Sequence, residues 1–214
     1  MKSKTDLSGM WEFCLDGDKK GMEQEFYNRH FSDTIALPGT TSEAKKGGRR
    51  EKREIGYLTE PYHFEGYAWY GREVEVKDYQ PGDQVILKLE RTRKSYVWID
   101  GVFVGSRESF CTSHIYDLTA YLMQGRGHLS VMISNVDYKA PGGHMTSPDT
   151  QTNWNGILGE ISLRVYRGVR LKDVFAESCW KKRQLKIAVN AAVDDKISQF
   201  MQSLRSVFAK KGNP

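Results

Sequence analysis

The chain has 214 residues, 39% of them hydrophobic and 12% aromatic, enough for one sizeable packed domain and too apolar for wholesale disorder. The formal charge of +5 is modest and gathers in Lys45, Lys46, Arg49, Arg50, Lys52 and Arg53, a glycine-interrupted solvated loop without interleaved aromatics, which argues against nucleic acid as a partner. No stretch reaches the roughly 18 apolar residues of a transmembrane helix, and the leading MKSKTDLSGMWEF lacks the apolar core of a secretory signal. No membrane partner is therefore expected, and cytoplasmic and exported locations both stay open.

Along the chain, Leu7 to Leu15 sets Trp11, Phe13 and Leu15 on one face and Glu12 and Cys14 on the other, a half-buried strand. Phe26 to Leu37 is a weaker strand that Pro38-Gly39 turns. The aromatic-rich segment from Tyr57 to Gly66 feeds a long strand, Tyr67 to Val76, with Ala68, Tyr70, Val74 and Val76 inward. After the Pro81-Gly82-Asp83 turn, Val85, Leu87 and Leu89 alternate as another strand. Asp100-Gly101 between Tyr96-Val97-Trp98-Ile99 and Val102-Phe103-Val104 predicts a type I′ hairpin, because both turn residues need positive φ. Ile115 to Met123 reads as a strand end passing into a helical turn, capped by Asp117 or Thr119 and stopped at Gly125.

Leu129 to Ser134 is a further strand, and a long loop then leads to Thr150–Leu163, the best site candidate. There Asn153, Trp154 and Asn155 offer an indole face between two amides, preceded by Asp149, Thr150 and Gln151. That combination suits a sugar, whose C–H faces stack on aromatic rings while its hydroxyls need fixed donors and acceptors.

Short strands with regular turn signals predict an all-β, jelly-roll β-sandwich over residues 1–168. Residues 169–193 read as two more strands, the opening of a second β unit, separated by Trp180-Lys181-Lys182-Arg183. Residues 194–214 place Ile197, Phe200, Met201, Leu204, Val207 and Phe208 at helical spacing, an amphipathic helix expected to pack on the body or cover a sheet edge.

Catalytic and metal-binding patterns are sparse. There is no G-x-S-x-G, H-E-x-x-H or P-loop motif, and Gly125-Arg126-Gly127 does not continue as a dinucleotide fingerprint, so no cofactor is expected. Cys14, Cys111 and Cys179 are odd in number and widely spaced, reading as buried thiols, and His30, His63, His114, His128 and His144 show no metal spacing. Ser113, His114 and Asp117 are too close in sequence to be a triad other than by coincidence.

Six segments nevertheless occur in a telling order: Leu7-Ser8-Gly9-Met10-Trp11-Glu12-Phe13, Leu37-Pro38-Gly39-Thr40, Gly66-Tyr67-Ala68-Trp69-Tyr70-Gly71-Arg72, Val97 to Gly105, Tyr116-Asp117-Leu118-Thr119 and Trp154-Asn155-Gly156-Ile157-Leu158-Gly159. With them the chain resembles, over residues 6–168, the N-terminal sugar-binding domain of glycoside hydrolase family 2, the β-galactosidase and β-glucuronidase family. The resemblance implies a jelly roll that braces a (β/α)₈ barrel, with Val169 to Val193 as the first strands of an immunoglobulin-like domain. The family's catalytic glutamates lie in the barrel and its acid/base follows an Asn. No Asn-Glu dipeptide occurs here, so no catalytic residue carries over and the chain alone is expected to be inactive. Loops before Tyr67 and before Gly156 approach the substrate in this family, which by position implicates His63 and Glu65, and Asp149, Asn153 and Trp154.

Three readings follow. The chain is a non-catalytic scaffold that contributes loops to a galactoside or glucuronide site; or it is an independent carbohydrate-binding module stacking sugar on Trp154 and Trp69; or it is an interaction module. Exposed strand edges and the terminal helix are the expected surfaces for self-association.

Overall fold

A computed structural model describes residues 1–52, 56, 58, 60–77, 79–122, 124–139, 144, 146–147, 150 and 152–193. In chain order its strands are β1 (Ser3–Asp6), β2 (Gly9–Asp16), β3 (Asp33–Leu37), β4 (Gly39–Thr40), β5 (Gly48–Arg49), β6 (Tyr62–His63), β7 (Tyr67–Glu75) and β8 (Gln84–Leu89). They continue as β9 (Lys94–Ile99), β10 (Val102–Arg107), β11 (His114–Asp117), β12 (Arg126–Ser134), β13 (Gly156–Ile157), β14 (Ile161–Tyr166), β15 (Val169–Cys179) and β16 (Gln184–Val193). A six-stranded sheet ordered β10-β9-β12-β7-β2-β3 faces a four-stranded sheet ordered β1-β14-β8-β11.

Alternation sets the core between them. Trp11, Phe13, Ala68, Tyr70, Val97, Ile99, Val131 and Ile133 point inward from the larger sheet, and Val85, Leu87, Leu89, Ile161, Leu163 and Val165 from the smaller, all in one buried cluster. The expected inward set of β7 and Val76 is buried as read. The β9–β10 hairpin forms at Asp100-Gly101, with φ of 47° and 76°. Asp117 accepts the Thr119 amide at 3.1 Å, and the Leu122 amide reaches the Leu118 carbonyl at 3.0 Å, giving the expected helical turn that Gly125 ends at a φ of 74°.

The outer face of the large sheet carries a second core that alternation alone does not reveal. Trp69, Trp98 and Met132 are buried there beneath Phe26, Tyr27 and Phe31 of the β2–β3 connection. Tyr27 stacks on Trp98 at 5.4 Å between ring centroids, and Phe26 meets Trp69 edge-on at 5.9 Å. The weak strand expected from Phe26 therefore begins at Asp33; Phe26–Asn28 is a single 3₁₀ turn whose aromatics cap the sheet.

Two further expectations change. Cys14 is half-buried, whereas Cys111 and Cys179 are exposed, the first in a loop and the second at the end of β15, so the thiols are not a buried set. The helix expected over 194–214 lies outside the described residues. β15 and β16 do form, as a two-stranded ladder whose apolar side chains are uncovered, including Phe175 and Leu185 and, at its turn, Trp180 with 82% of its surface exposed. Arg170 ties its base to the sandwich, donating to Gln84 at 3.3 Å and pairing with Asp117 at 3.6 Å. No helix among the described residues is long and apolar enough to cross a membrane.

One buried carboxylate locks the chain's start to the end of the sandwich. Asp83, 1% exposed, accepts from Lys2 at 2.8 Å, Arg167 at 2.8 and 3.2 Å and the Gln80 amide at 3.0 Å, which pulls its carboxyl down to about 2. A depressed folded value means that this stabilisation is whole above the ordinary carboxylate range and is lost as pH falls through about 2. With Arg167 half-exposed and screened, Asp83→Asn is expected to lower stability by about 1–2 kcal/mol at pH 7 and to flatten the acid limb. Urea midpoints measured from pH 7 down to pH 2 check this; an unchanged limb in the variant would refute it.

Candidate functional site

Two loop systems meet at one rim of the sandwich. On one side β6 pairs with β5, setting His63 opposite Gly48 and Tyr62 opposite Arg49. The basic loop enters this short ladder only at Gly48–Arg49, and Lys45, Arg49 and Lys52 are exposed to solvent as expected. On the other side β13 pairs with β4, Gly156 opposite Thr40. Only glycine fits at 156: its φ is +144°, and a Cβ there would meet the Gly39 carbonyl at 2.2 Å. Thr92 Oγ1 donates to the Gly156 carbonyl at 2.8 Å, and the Thr41 amide to the Asn155 carbonyl at 2.9 Å, fixing where residues 152–155 run.

Asn135, fully buried at the end of β12, ties both walls together. Its amide nitrogen donates to the carbonyls of Phe64 and Asn153, each at 2.7 Å, while its oxygen accepts the Gly66 amide at 2.9 Å. Asn153 returns a bond to the Asn135 carbonyl at 2.9 Å, donates to Glu65 at 3.3 Å and accepts from the Tyr138 hydroxyl at 3.2 Å. Between the walls lies a cavity of about 210 Å³, lined by Arg50, Glu60, His63, Glu65, Thr152 and Asn153 together with Leu58 and Thr146.

The expected residues separate here. His63, Glu65 and Asn153 line the cavity together. Trp154 does not line it: the guanidinium of Arg93 sits 4.1 Å over its ring, so that face is taken. Trp69 is fully buried in the outer core and offers no platform. Asn155 is buried too, donating to the Ile133 carbonyl at 3.0 Å and accepting from Tyr70 at 3.3 Å, so it holds the loop rather than flanking a ligand. Asp149 and Gln151 lie outside the described residues. The Ser113, His114, Asp117 grouping is coincidental as expected, since buried His114 is engaged by Ser95 at 2.5 Å while exposed Asp117 serves Thr119.

Sequence reasoning missed Glu60, Arg50 and Arg93. Glu60 is only 6% exposed, and burial, with Glu65 adding, pushes its carboxyl up to about 7 against the opposing pull of Arg50 and Arg93. His63 lies between two acids, Nδ1 at 3.7 Å from Glu60 Oε2 and Nε2 at 3.6 Å from Glu65. Glu60 Oε2 has no hydrogen-bond partner among the described residues. These separations are too long for hydrogen bonds, so both acids and the imidazole can turn to an incoming hydroxyl, and a carboxyl that titrates near neutrality can also donate. The Glu60-Pro61 pair inside an aromatic segment was the one local hint, since nothing in spacing announces burial.

An all-β sandwich with a polar cavity built by rim loops defines the class, a β-sandwich binding module. The family described as "Glycosyl hydrolases family 2, sugar binding domain" matches residues 4–166. The chain belongs to that family. Among curated relatives, a β-galactosidase of Clostridium acetobutylicum is 24% identical over 198 residues, covering 83% of this chain and 21% of that protein. A β-glucuronidase of Paenibacillus borealis is 27% identical over 133 residues, covering 61% of this chain and 21% of that protein. The solved structure of Ruminococcus gnavus β-glucuronidase superposes with a TM-score of 0.66 at 16% identity, over 89% of this chain and 33% of that one. The chain thus spans about a fifth of the length of these two curated relatives.

Proposed function

We propose that this chain is the N-terminal jelly-roll module of a family 2 glycoside hydrolase that acts on a galactoside or glucuronide. In this reading it serves as scaffold and as one wall of the sugar site, and the catalytic carboxylates belong to another part of such an enzyme. The observation that carries the reading is the cavity itself. It is polar, it sits on the rim where the loops before Tyr67 and before Gly156 meet, and among the described residues that line it none offers an aromatic face for a sugar ring. His63, Glu65 and Asn153 are the assigned sugar-facing wall, with Glu60 behind them; Asp149 belongs to the same loop by sequence. The ladder of β15 and β16, with its apolar residues uncovered, supports residues 169–193 as the opening strands of an immunoglobulin-like domain and as the surface for any self-association.

Calorimetric titration of the chain with galactose, glucuronate and lactose tests this. A wall without the rest of its site gives no saturable heat at millimolar sugar. Millimolar or tighter binding that is lost in both His63→Ala and Asn153→Ala would overturn the scaffold reading and make the chain a self-sufficient lectin-like module.

A further inference from the structure

On the outer face of the six-stranded sheet, beside the second core, three side chains distant in sequence converge. Alternation turns Glu12 on β2, Gly71 on β7 and His128 on β12 to this face, and His30 reaches it from the covering segment. One ligand atom from each of Glu12, His30 and His128 lies within 4.8 Å of the other two. His30 Nδ1 is 2.9 Å from Glu12 Oε1, and the two imidazoles meet edge to face at 4.6 Å between centroids.

Three details distinguish this from an ordinary surface ion pair. His128 is held through Nδ1 by Glu73 at 3.0 Å, while its Nε2 is buried without a hydrogen-bond partner among the described residues. A carboxylate on one ring nitrogen with the other nitrogen presented inward is the arrangement that orients a metal-binding histidine. The sheet also leaves room above β7. A Cβ on Gly71 would stand 3.2 Å from Glu12 Oε2 and 3.3 Å from His128 Nε2, so the two ligand atoms close over the one strand position without a side chain. Glycine inside a strand costs stability, and the close approach of groups above it gives that cost a reason. Finally, Glu12 is oriented by a second contact, accepting the Phe31 amide at 3.0 Å.

We propose that Glu12, His30 and His128 form a binding site for a divalent transition metal, with zinc as the best-matched ion, that pins the covering segment to the sheet. Two imidazoles and one carboxylate are a borderline donor set that suits zinc over magnesium or calcium. Donors on one tetrahedral zinc at about 2.0–2.1 Å lie roughly 3.3 Å apart, so the 2.9 Å contact of His30 with Glu12 must open while the wider separations of the cluster, up to 4.8 Å, close. The movement falls on His30, whose side chain is 67% exposed: it gives up its hydrogen bond to Glu12 and swings aside to admit the ion between the two atoms. Solvent completes the shell. Histidine spacing in the sequence gave no sign of this, since residues 30 and 128 are brought together only by the folding of the β2–β3 connection over the sheet.

The test is titration of the metal-stripped chain with Zn²⁺, followed by calorimetry and by thermal melting. One ion per chain, binding at micromolar or tighter concentration, with a rise in Tm of several degrees at saturation, is expected. His30→Ala should weaken binding at least tenfold while lowering the melting of the metal-free chain only slightly, since a pair with Glu12 this exposed contributes little to stability; Glu12→Gln reports on the third ligand. Co²⁺ in place of zinc should give the visible absorption of a tetrahedral nitrogen and oxygen site. Absence of saturable binding, or an affinity unchanged in both His30→Ala and His128→Ala, overturns the proposal.

Discussion

Arg93→Ala is expected to cost about 3–5 kcal/mol, the loss typical of breaking a buried charged network. Arg93 is fully buried, with its guanidinium 4.1 Å from the Trp154 ring and 5.0 Å from that of Phe110. It donates through Nε to the Trp154 carbonyl at 3.1 Å and through Nη2 to the Thr152 carbonyl at 3.0 Å. Truncation strips both carbonyls of a charged donor, leaves a hole where the planar group filled the space between two rings, and removes the nearby cation that helps hold Glu60 down. Arg93→Lys should recover less than half of the loss, because an ammonium cannot span two carbonyls in one plane or stack on an indole. Urea unfolding followed by tryptophan fluorescence measures it. A loss below about 1 kcal/mol would mean that the other contacts of the 152–155 loop, those of Asn135, Thr41 and Tyr70 among them, hold it without Arg93.

Glu60→Gln is expected to stabilise the chain at pH 8 and to leave it nearly unchanged at pH 4. Glu60 titrates near 7 in the fold against an ordinary 4.5, so folding disfavours its charged form. For a carboxyl whose folded value is raised, the favourable contribution is complete below 4.5 and is lost as pH climbs through about 7. Above that, the folded state carries a buried charge, a penalty on the order of 3 kcal/mol that glutamine does not incur. Unfolding midpoints of both proteins at pH 4, 6 and 8 test the sign. A variant less stable than the parent at pH 8 would show that attraction from Arg50 and Arg93 outweighs burial. With Glu60 behind the sugar-facing wall as proposed, the variant gains stability at the expense of an acid that backs His63.

How much of this was legible in the sequence depended on the range over which each feature is encoded. The Asp100-Gly101 hairpin and the inward faces of β2, β7 and β8 came through because a turn dipeptide and a period of two are local signals. Trp69 misled for the same reason. On a strand whose partners Ala68 and Tyr70 point inward it reads as outward, and only the aromatics of residues 26–31, some 40 positions earlier, make outward mean buried. The site split along the same line. His63, Glu65 and Asn153 were reached through loop position, whereas Glu60 and Arg93 carry their character only through burial, and Trp154 lost its open face to a cation with no sequence relation to it. The convergence of His30 and His128 is the extreme case, with nothing in the interval between them to suggest it.

Asn135 has a mechanical consequence. Because one rigid carboxamide hooks the Phe64–Gly66 wall and the Asn153 wall at once, the width of the rim cavity is a single coordinate rather than the sum of two independent loop fluctuations. Motion that carries the Phe64–Gly66 wall outward must break two of these bonds, and motion of the Asn153 wall must break the third, so both walls are referred to one fixed side chain. A ligand entering such a gap finds its entropy of ordering already spent during folding.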